Sequence, residues 1–143
     1  MRLTRGALVV VGVAQAYTGV WGLLAPKSFF DDFPGAGHHW VAALGTYNQH
    51  LVRDYAAAEL GLAVLLLAAA IWFTPHVVLI AGGSFLAATV PHFLYHLTTT
   101  GSFTSVDNEA SLGSFGVEIV LVALAMFTVT YGERSPHVTT ARS

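Results

Sequence analysis

Cysteine is absent from this 143-residue chain. That removes disulfides, thiol redox chemistry, iron–sulfur ligation and thiolate metal sites. Methionine occurs only twice, which argues against a soft Cu(I) store. Charge is scarce: 10% of residues are Asp, Glu, Lys or Arg, against about 25% in an ordinary soluble domain. A formal net charge of −2 supplies no basic field, so nucleic acid is not an expected partner. Internal repeats and low-complexity runs are missing as well. What remains is apolar, with 55% hydrophobic residues and a mean hydropathy of +0.64. The length suits one compact domain and leaves no room for a second.

Four apolar stretches stand out, at residues 6–25, 50–73, 76–97 and 112–131. Each approaches the roughly 20 residues that an α-helix needs to cross the hydrocarbon core. They predict an all-α, integral membrane four-helix bundle, one domain over residues 1–143 with a short polar tail at 132–143. Pro75 leaves almost no connection between the second and third spans. Pro26 closes the first span, and Ser135-Pro136 opens the tail. Asp107 or Asn108 is the expected N-cap of the fourth helix. Arg2 and Arg5 before an apolar run, with Ala14-Gln15-Ala16, also resemble a secretory signal and its cleavage motif. The apolar run continues past that motif to Ala25, so the segment reads as a retained helix.

Orientation follows from the placement of Lys and Arg. Arg2, Arg5, Arg134 and Arg142 flank the termini, and only Lys27 and Arg53 lie on the other side. The positive-inside rule then places both termini in the cytoplasm of a multi-pass protein of the cell (inner or plasma) membrane. Residues 27–49 and 98–111 face outward, and of the histidines only His76 and His137 are cytoplasmic. The first outer loop mixes aromatics, acids and a turn in Phe29-Phe30-Asp31-Asp32-Phe33-Pro34-Gly35, followed by His38-His39-Trp40-Val41. Trp40, Tyr47, Tyr17, Trp21 and Trp72 suit the headgroup level. The loop has two readings: an interfacial lid that ties the helices together, or a segment that itself shapes a ligand pocket.

Five of the seven histidines gather at that outer end: His38, His39, His50, His92 and His96. Intramembrane titratable groups are costly and usually face a protein interior or a water-filled cavity. His50 and Asp54 are four apart on the second helix, and His92 and His96 are four apart on the third, so each pair shares a face. The two helices are adjacent and antiparallel, and both pairs lie at their outer ends. His50, Asp54, His92 and His96 therefore form a candidate ligand set for Zn, Fe, Mn or Cu(II), built like other bundle metal sites from facing helices. The competing reading is structural: Asp54 pairs with Arg53 or His96, and the imidazoles tie helices together.

A deeper polar layer holds Glu59, Glu118 and Gln15. Glu59 lies about 14 Å along its helix from His50 and points to the opposite side. Ser111, Ser114 and Glu118 form one stripe, and Gly12, Gln15, Gly19 and Gly22 form another. The glycines permit close backbone approach. The layer reads either as an interhelical hydrogen-bond clamp or as a proton path and pocket floor. Asp107 and Glu109 read as helix-capping acids. Pro91, just before His92, removes one backbone hydrogen bond and re-aims that histidine.

Leu24-Ala25-Pro26, the Phe29–Gly35 run, Tyr47-Asn48-Gln49-His50-Leu51-Val52-Arg53-Asp54 and Pro91-His92-Phe93-Leu94-Tyr95-His96 together carry a likeness. Over most of residues 20–120 the chain resembles small, uncharacterised bacterial four-helix membrane proteins that are loosely DoxX-like. The N-x-H-x-x-R-D segment is the most specific part. The resemblance implies a four-helix bundle, and the link of DoxX relatives to quinone-coupled sulfur oxidation implies quinone contact. Tyr55 departs from the pattern, since relatives are expected to carry a small residue there.

Three functions compete. One is a membrane module whose outward site binds a divalent transition metal or a quinone- or lipid-like ligand. Asp54, His92 and Glu118 are its catalytic candidates, and Arg53 and Glu118 are its cofactor-binding candidates. The second is a non-catalytic accessory or scaffold subunit, or a homo-oligomer, docking through its glycine faces and aromatic loop. The third is an isoprenoid- or lipid-binding isomerase or cyclase using paired acid and base groups. In each case the lipid bilayer is the constant partner.

Overall fold

The computed structural model describes residues 2–99 and 101–132. Arg134, Ser135, Pro136, His137 and Arg142, and with them nearly all of the polar tail, lie outside the described residues. Every regular element is helical: α1 over Arg2–Leu24, a short α2 over Pro26–Asp32, α3 over Gln49–Trp72, α4 over Pro75–Thr98 and α5 over Ser105–Tyr131. One 3-10 turn, Ala42–Leu44, lies between α2 and α3. The four long helices are long and apolar enough to cross a membrane.

The long helices form a ring in which α1 packs on α3, α3 on α4, α4 on α5 and α5 on α1. Short connections make α3 antiparallel to α4 and α4 antiparallel to α5, as in an up-down-up-down bundle. The outward faces carry large apolar side chains such as Val10, Ile71, Ile80, Leu124 and Phe127. The interior centres on Leu8, Val11, Leu66, Val78, Phe85 and Val122. Both faces are apolar, which is what a helix with lipid on one side and protein on the other requires.

Small residues set the tightest contact. A Cβ added to Gly19 would meet Leu60 N at 2.7 Å and Ala56 O at 2.8 Å, and one added to Gly22 would meet Ala56 Cβ at 2.6 Å. The backbone of α1 thus lies directly on α3, a small-residue packing that suits helices without a hydrophobic driving force between them. The glycine face that the sequence offers to a partner protein is consumed inside the bundle.

Local signals fix the helix ends. Pro26 follows the end of α1 and sits at the first position of α2, where its missing N–H costs nothing. Asn48 caps α3 by accepting from Leu51 N at 3.1 Å. Phe73 ends α3 in the left-handed region (φ 42°), which is unusual for a bulky residue. Its ring is nearly buried and lies 4.9 Å beneath the Arg5 guanidinium, and Thr74-Pro75 then starts α4. The helix of α4 runs unbroken through Pro91.

The fourth long helix corrects the sequence reading. It starts at Ser105, ahead of the apolar stretch at 112–131, and its N-cap is Thr104, not Asp107 or Asn108. Thr104 Oγ1 accepts from Asp107 N at 3.1 Å and donates to Asp107 Oδ2 at 2.7 Å. Hydropathy alone misses these first two turns because they are polar.

Between α1 and α3 the chain makes a lid. Phe29 is 1% exposed and packs against Trp21, Phe33 and Tyr55. Lys27 pairs with Asp31 at the surface, and Ser28 donates to Asp32. Gly35 (φ 102°) and Gly37 (φ 82°) let the chain reverse. Trp40 N donates to Phe33 O at 2.8 Å, closing that reversal.

Candidate functional site

A cavity of about 420 Å3 lies at the lid end of the bundle. Small-molecule sites occupy about 300–1,000 Å3, so one compact ligand fits. Every long helix contributes a wall. Gln15 and Thr18 come from α1, Leu51, Val52 and Tyr55 from α3, His92 and His96 from α4, and Ser111, Ser114, Phe115 and Glu118 from α5. The lid supplies Phe29, Phe30, Phe33, Trp40, Val41 and Leu44. The loop therefore shapes the pocket as well as bracing the helices.

His92 and His96 form a dyad along one face of α4. Their Nε2 atoms lie 3.1 Å apart, within hydrogen-bonding distance. When both rings are neutral, one Nε2 donates and the other accepts. The two Nδ1 atoms must then differ in the opposite sense, one an acceptor and one a donor. Aromatic rings hold the pair in place. Phe115 lies 4.9 Å from the His92 ring and 5.4 Å from that of His96, Tyr55 meets His92 edge-on, and Phe103 stacks on His96. His96 is 5% exposed, and its Nδ1 is buried with no hydrogen-bond partner among the described residues. Such an atom costs free energy until something pairs with it.

Deeper in the pocket, Gln15 Nε2 donates to Glu118 Oε2 at 3.0 Å, joining α1 to α5. On α3, Tyr55 and Glu59 are four residues apart on one face, and Glu59 lies within electrostatic reach of Glu118. Helices α1, α3 and α5 thus share one polar seam. Glu118 lines the cavity, while Glu59 is buried and does not. Ser111 and Ser114 continue the α5 stripe toward the lid, and the Ser114 hydroxyl donates back to Ser111 O at 2.8 Å.

A latch fastens the lid to the bundle. Asp107 Oδ1 accepts from Trp40 Nε1 at 2.9 Å and lies 2.5 Å from His38 Nδ1. One carboxylate therefore holds two lid side chains while it braces the Thr104 cap. In Asp107→Asn these charge-assisted bonds become neutral ones, which are about half as strong. Amide hydrogen exchange in residues 33–44 should rise clearly above the parent rate while exchange in α4 stays unchanged. Equal lid exchange in both proteins would remove the latch.

The structure separates residues that the sequence grouped. His50 Nε2 and Asp54 Oδ2 are 3.3 Å apart, but both side chains are exposed, and neither lines the cavity. Arg53 is also exposed and absent from the cavity wall. Among the described residues, no three or more His, Cys, Asp or Glu side chains gather as a metal-holding group. The His50–Asp54 and His92–His96 pairs therefore do not form one ligand set. Of the catalytic candidates, His92 and Glu118 stay in the cavity and Asp54 leaves it. Of the ligand-binding candidates, Glu118 lines the cavity and Arg53 does not. His39 Nδ1 contacts the Asp31 carbonyl and is exposed.

Sequence reasoning did not find the latch, because Asp107 and Trp40 are 67 positions apart and no local pattern joins them. It also passed over Phe115 and Phe103, the rings against the dyad. The only sequence signal was that Phe115 lies beside the Ser111, Ser114 and Glu118 stripe. No protein-family model, curated protein or solved structure matches this chain.

Proposed function

We propose that this chain is a membrane-embedded binder of one compact, lipid-soluble organic molecule. The observation that carries the reading is a cavity of about 420 Å3, walled by all four long helices and the lid, with polar groups only at chosen points. An apolar pocket with a few convergent hydrogen-bonding groups is the usual form of a small-molecule site. The His92–His96 dyad offers the ligand a donor and an acceptor, and Glu118 offers a carboxyl. A quinone-like or isoprenoid-derived ring has the size and polarity for this space, and the DoxX-like resemblance points to the same class. With the termini cytoplasmic, as Arg2 and Arg5 favour, the lid faces outward in the cell membrane. A transition metal has less support, because the dyad nitrogens bond each other and Asp54 and His50 lie outside the pocket.

Trp40 lines the cavity and reports on its contents. Purified protein in nanodiscs should show saturable quenching of Trp40 emission by short-chain benzoquinones, with Trp21→Phe and Trp72→Phe removing the other two indoles. Ser114→Phe places a ring in the cavity and should weaken that binding by about tenfold or more, equivalent to roughly 1.4 kcal/mol. The reading fails if quenching is not saturable, or if the filled pocket binds as well as the empty one.

A further inference from the structure

Resting on the pocket reading above, we propose that the ligand is a lipophilic cation, an organic ammonium held between the Glu118 carboxylate and the aromatic wall. The first observation is a charge imbalance. Glu118 lines the cavity, Glu59 is a second acid within electrostatic reach of it, and among the described residues no Lys or Arg lines the cavity. The hydrogen-bond partner found for Glu118 is the neutral amide of Gln15.

The cations of the described residues are spent or placed elsewhere. Lys27 pairs with Asp31, Arg5 sits over Phe73 at the far end of α1, and Arg53 is exposed on α3. Arg2 opens α1 at that same far end. A carboxylate removed from water needs a counter-charge or a proton. Among the described residues no Lys or Arg supplies that charge, so a ligand that brings one gains an electrostatic attraction beyond its apolar contact.

The second observation is independent of charge. Phe29, Phe33, Trp40, Tyr55 and Phe115 all line the same cavity, on the lid, α3 and α5. Aromatic rings around a cavity attract an organic cation through their negative faces, and aromatic cages are the common protein answer to quaternary ammonium groups. A neutral ligand of the same shape would lack that attraction.

The imidazoles are the remaining titratable groups that face the space. Their mutual Nε2 bond requires at least one ring to be neutral at that nitrogen. The dyad therefore cannot place two full positive charges against Glu118. His96 Nδ1, buried and without a hydrogen-bond partner among the described residues, adds a polar contact for a ligand N–H or O–H group. The volume confines the ligand to a compact body and excludes a long polyprenyl chain bound in full.

An isosteric pair tests the assignment. Benzyltrimethylammonium and neopentylbenzene have the same shape, and only the first is charged. Both are titrated against nanodisc-embedded protein, with Trp40 emission as the readout. The cation should bind about tenfold or more tightly than its carbon isostere. Glu118→Gln should cut that preference severalfold, to what the aromatic wall alone gives, while leaving neopentylbenzene binding in place, and this retained binding shows that the variant is folded. Glu118→Asp should keep a measurable preference. Equal binding of the two probes to the parent protein overturns the cation assignment and leaves the organic-ligand reading standing. Binding of neither probe, with saturable quinone binding, also overturns it. Binding of no probe of any class overturns both readings.

Discussion

Gly19→Val should leave little folded protein, with the thermal midpoint in detergent falling far below that of the parent chain. The reason is what surrounds the glycine. A Cβ there meets Leu60 N at 2.7 Å, Ala56 O at 2.8 Å and Leu60 Cβ at 2.8 Å. Two of those atoms are backbone and cannot rotate away. Overpacking in a core usually costs about 1–3 kcal/mol, and backbone on both sides puts this site at the top of that range or above it. Relief requires α1 to back away from α3, which also pulls Gln15 from Glu118 and loosens the cavity floor. Gly116→Ala is the matched control. Nothing lies within 4 Å of a Cβ at that position. Removing a glycine from a helix interior should stabilise it by about 0.5–1 kcal/mol. Circular dichroism melts of the two variants should therefore move in opposite directions. A Gly19→Val midpoint equal to the parent's would mean that α1 and α3 do not make this contact.

Phe29→Ala is the second large effect, and it links stability to the pocket. Phe29 is 1% exposed and joins Trp21 of α1, Tyr55 of α3 and Phe33 of the lid. Truncating a buried phenylalanine costs about 3–5 kcal/mol, part of it for the cavity left behind. Here that space opens into the ligand cavity, which Phe29 already lines. The variant should lose both thermal stability and ligand affinity, and Trp21 emission should shift as its edge-on ring contact disappears. Phe29→Leu should recover most of the stability, because a branched aliphatic side chain refills much of the volume. Loss of affinity with the melting temperature unchanged would contradict the coupling of lid and core.

Much of the fold was legible because membrane spans announce themselves locally. Pro26 and Pro75 mark helix boundaries wherever the rest of the chain goes, since proline sits at a helix start without losing a hydrogen bond. The glycine spacing of α1 announced a close approach, and Gly19 and Gly22 make one against α3. The start of α5 was less legible. Ser105 to Ala110 are too polar to register as a span, although Thr104 and Asp107 sit at capping spacing.

The site was legible in part. His92 and His96 were visible as an i,i+4 pair and do face one cavity. His50 and Asp54 had the same spacing, and they face outward. Spacing says that two residues share a face but not which way that face points. In a soluble helix the apolar stripe would have given the answer. In α3 the outward side is apolar too, with Val64 and Ile71 exposed while Val52, Ala56, Ala63 and Leu66 are buried.

The sequence by itself determined an all-α chain with four helices long and apolar enough to cross a membrane, their proline-marked starts and the small-residue face of α1. Hydropathy, proline geometry and glycine size act over a few residues and need no partner. Only the tertiary structure decided which polar groups meet. Gly19 and Gly22 seat α1 on Ala56 and Leu60, and that contact sets the rotation of α3 about its own axis. Tyr55 and Glu59 turn inward, and His50 and Asp54 turn away on the other side. The same packing brings Gln15 to Glu118 across 103 positions and Trp40 to Asp107 across 67. Such pairs exist only when the helices are closed, which is why the cavity and its chemistry belong to the fold and not to any local stretch of the chain.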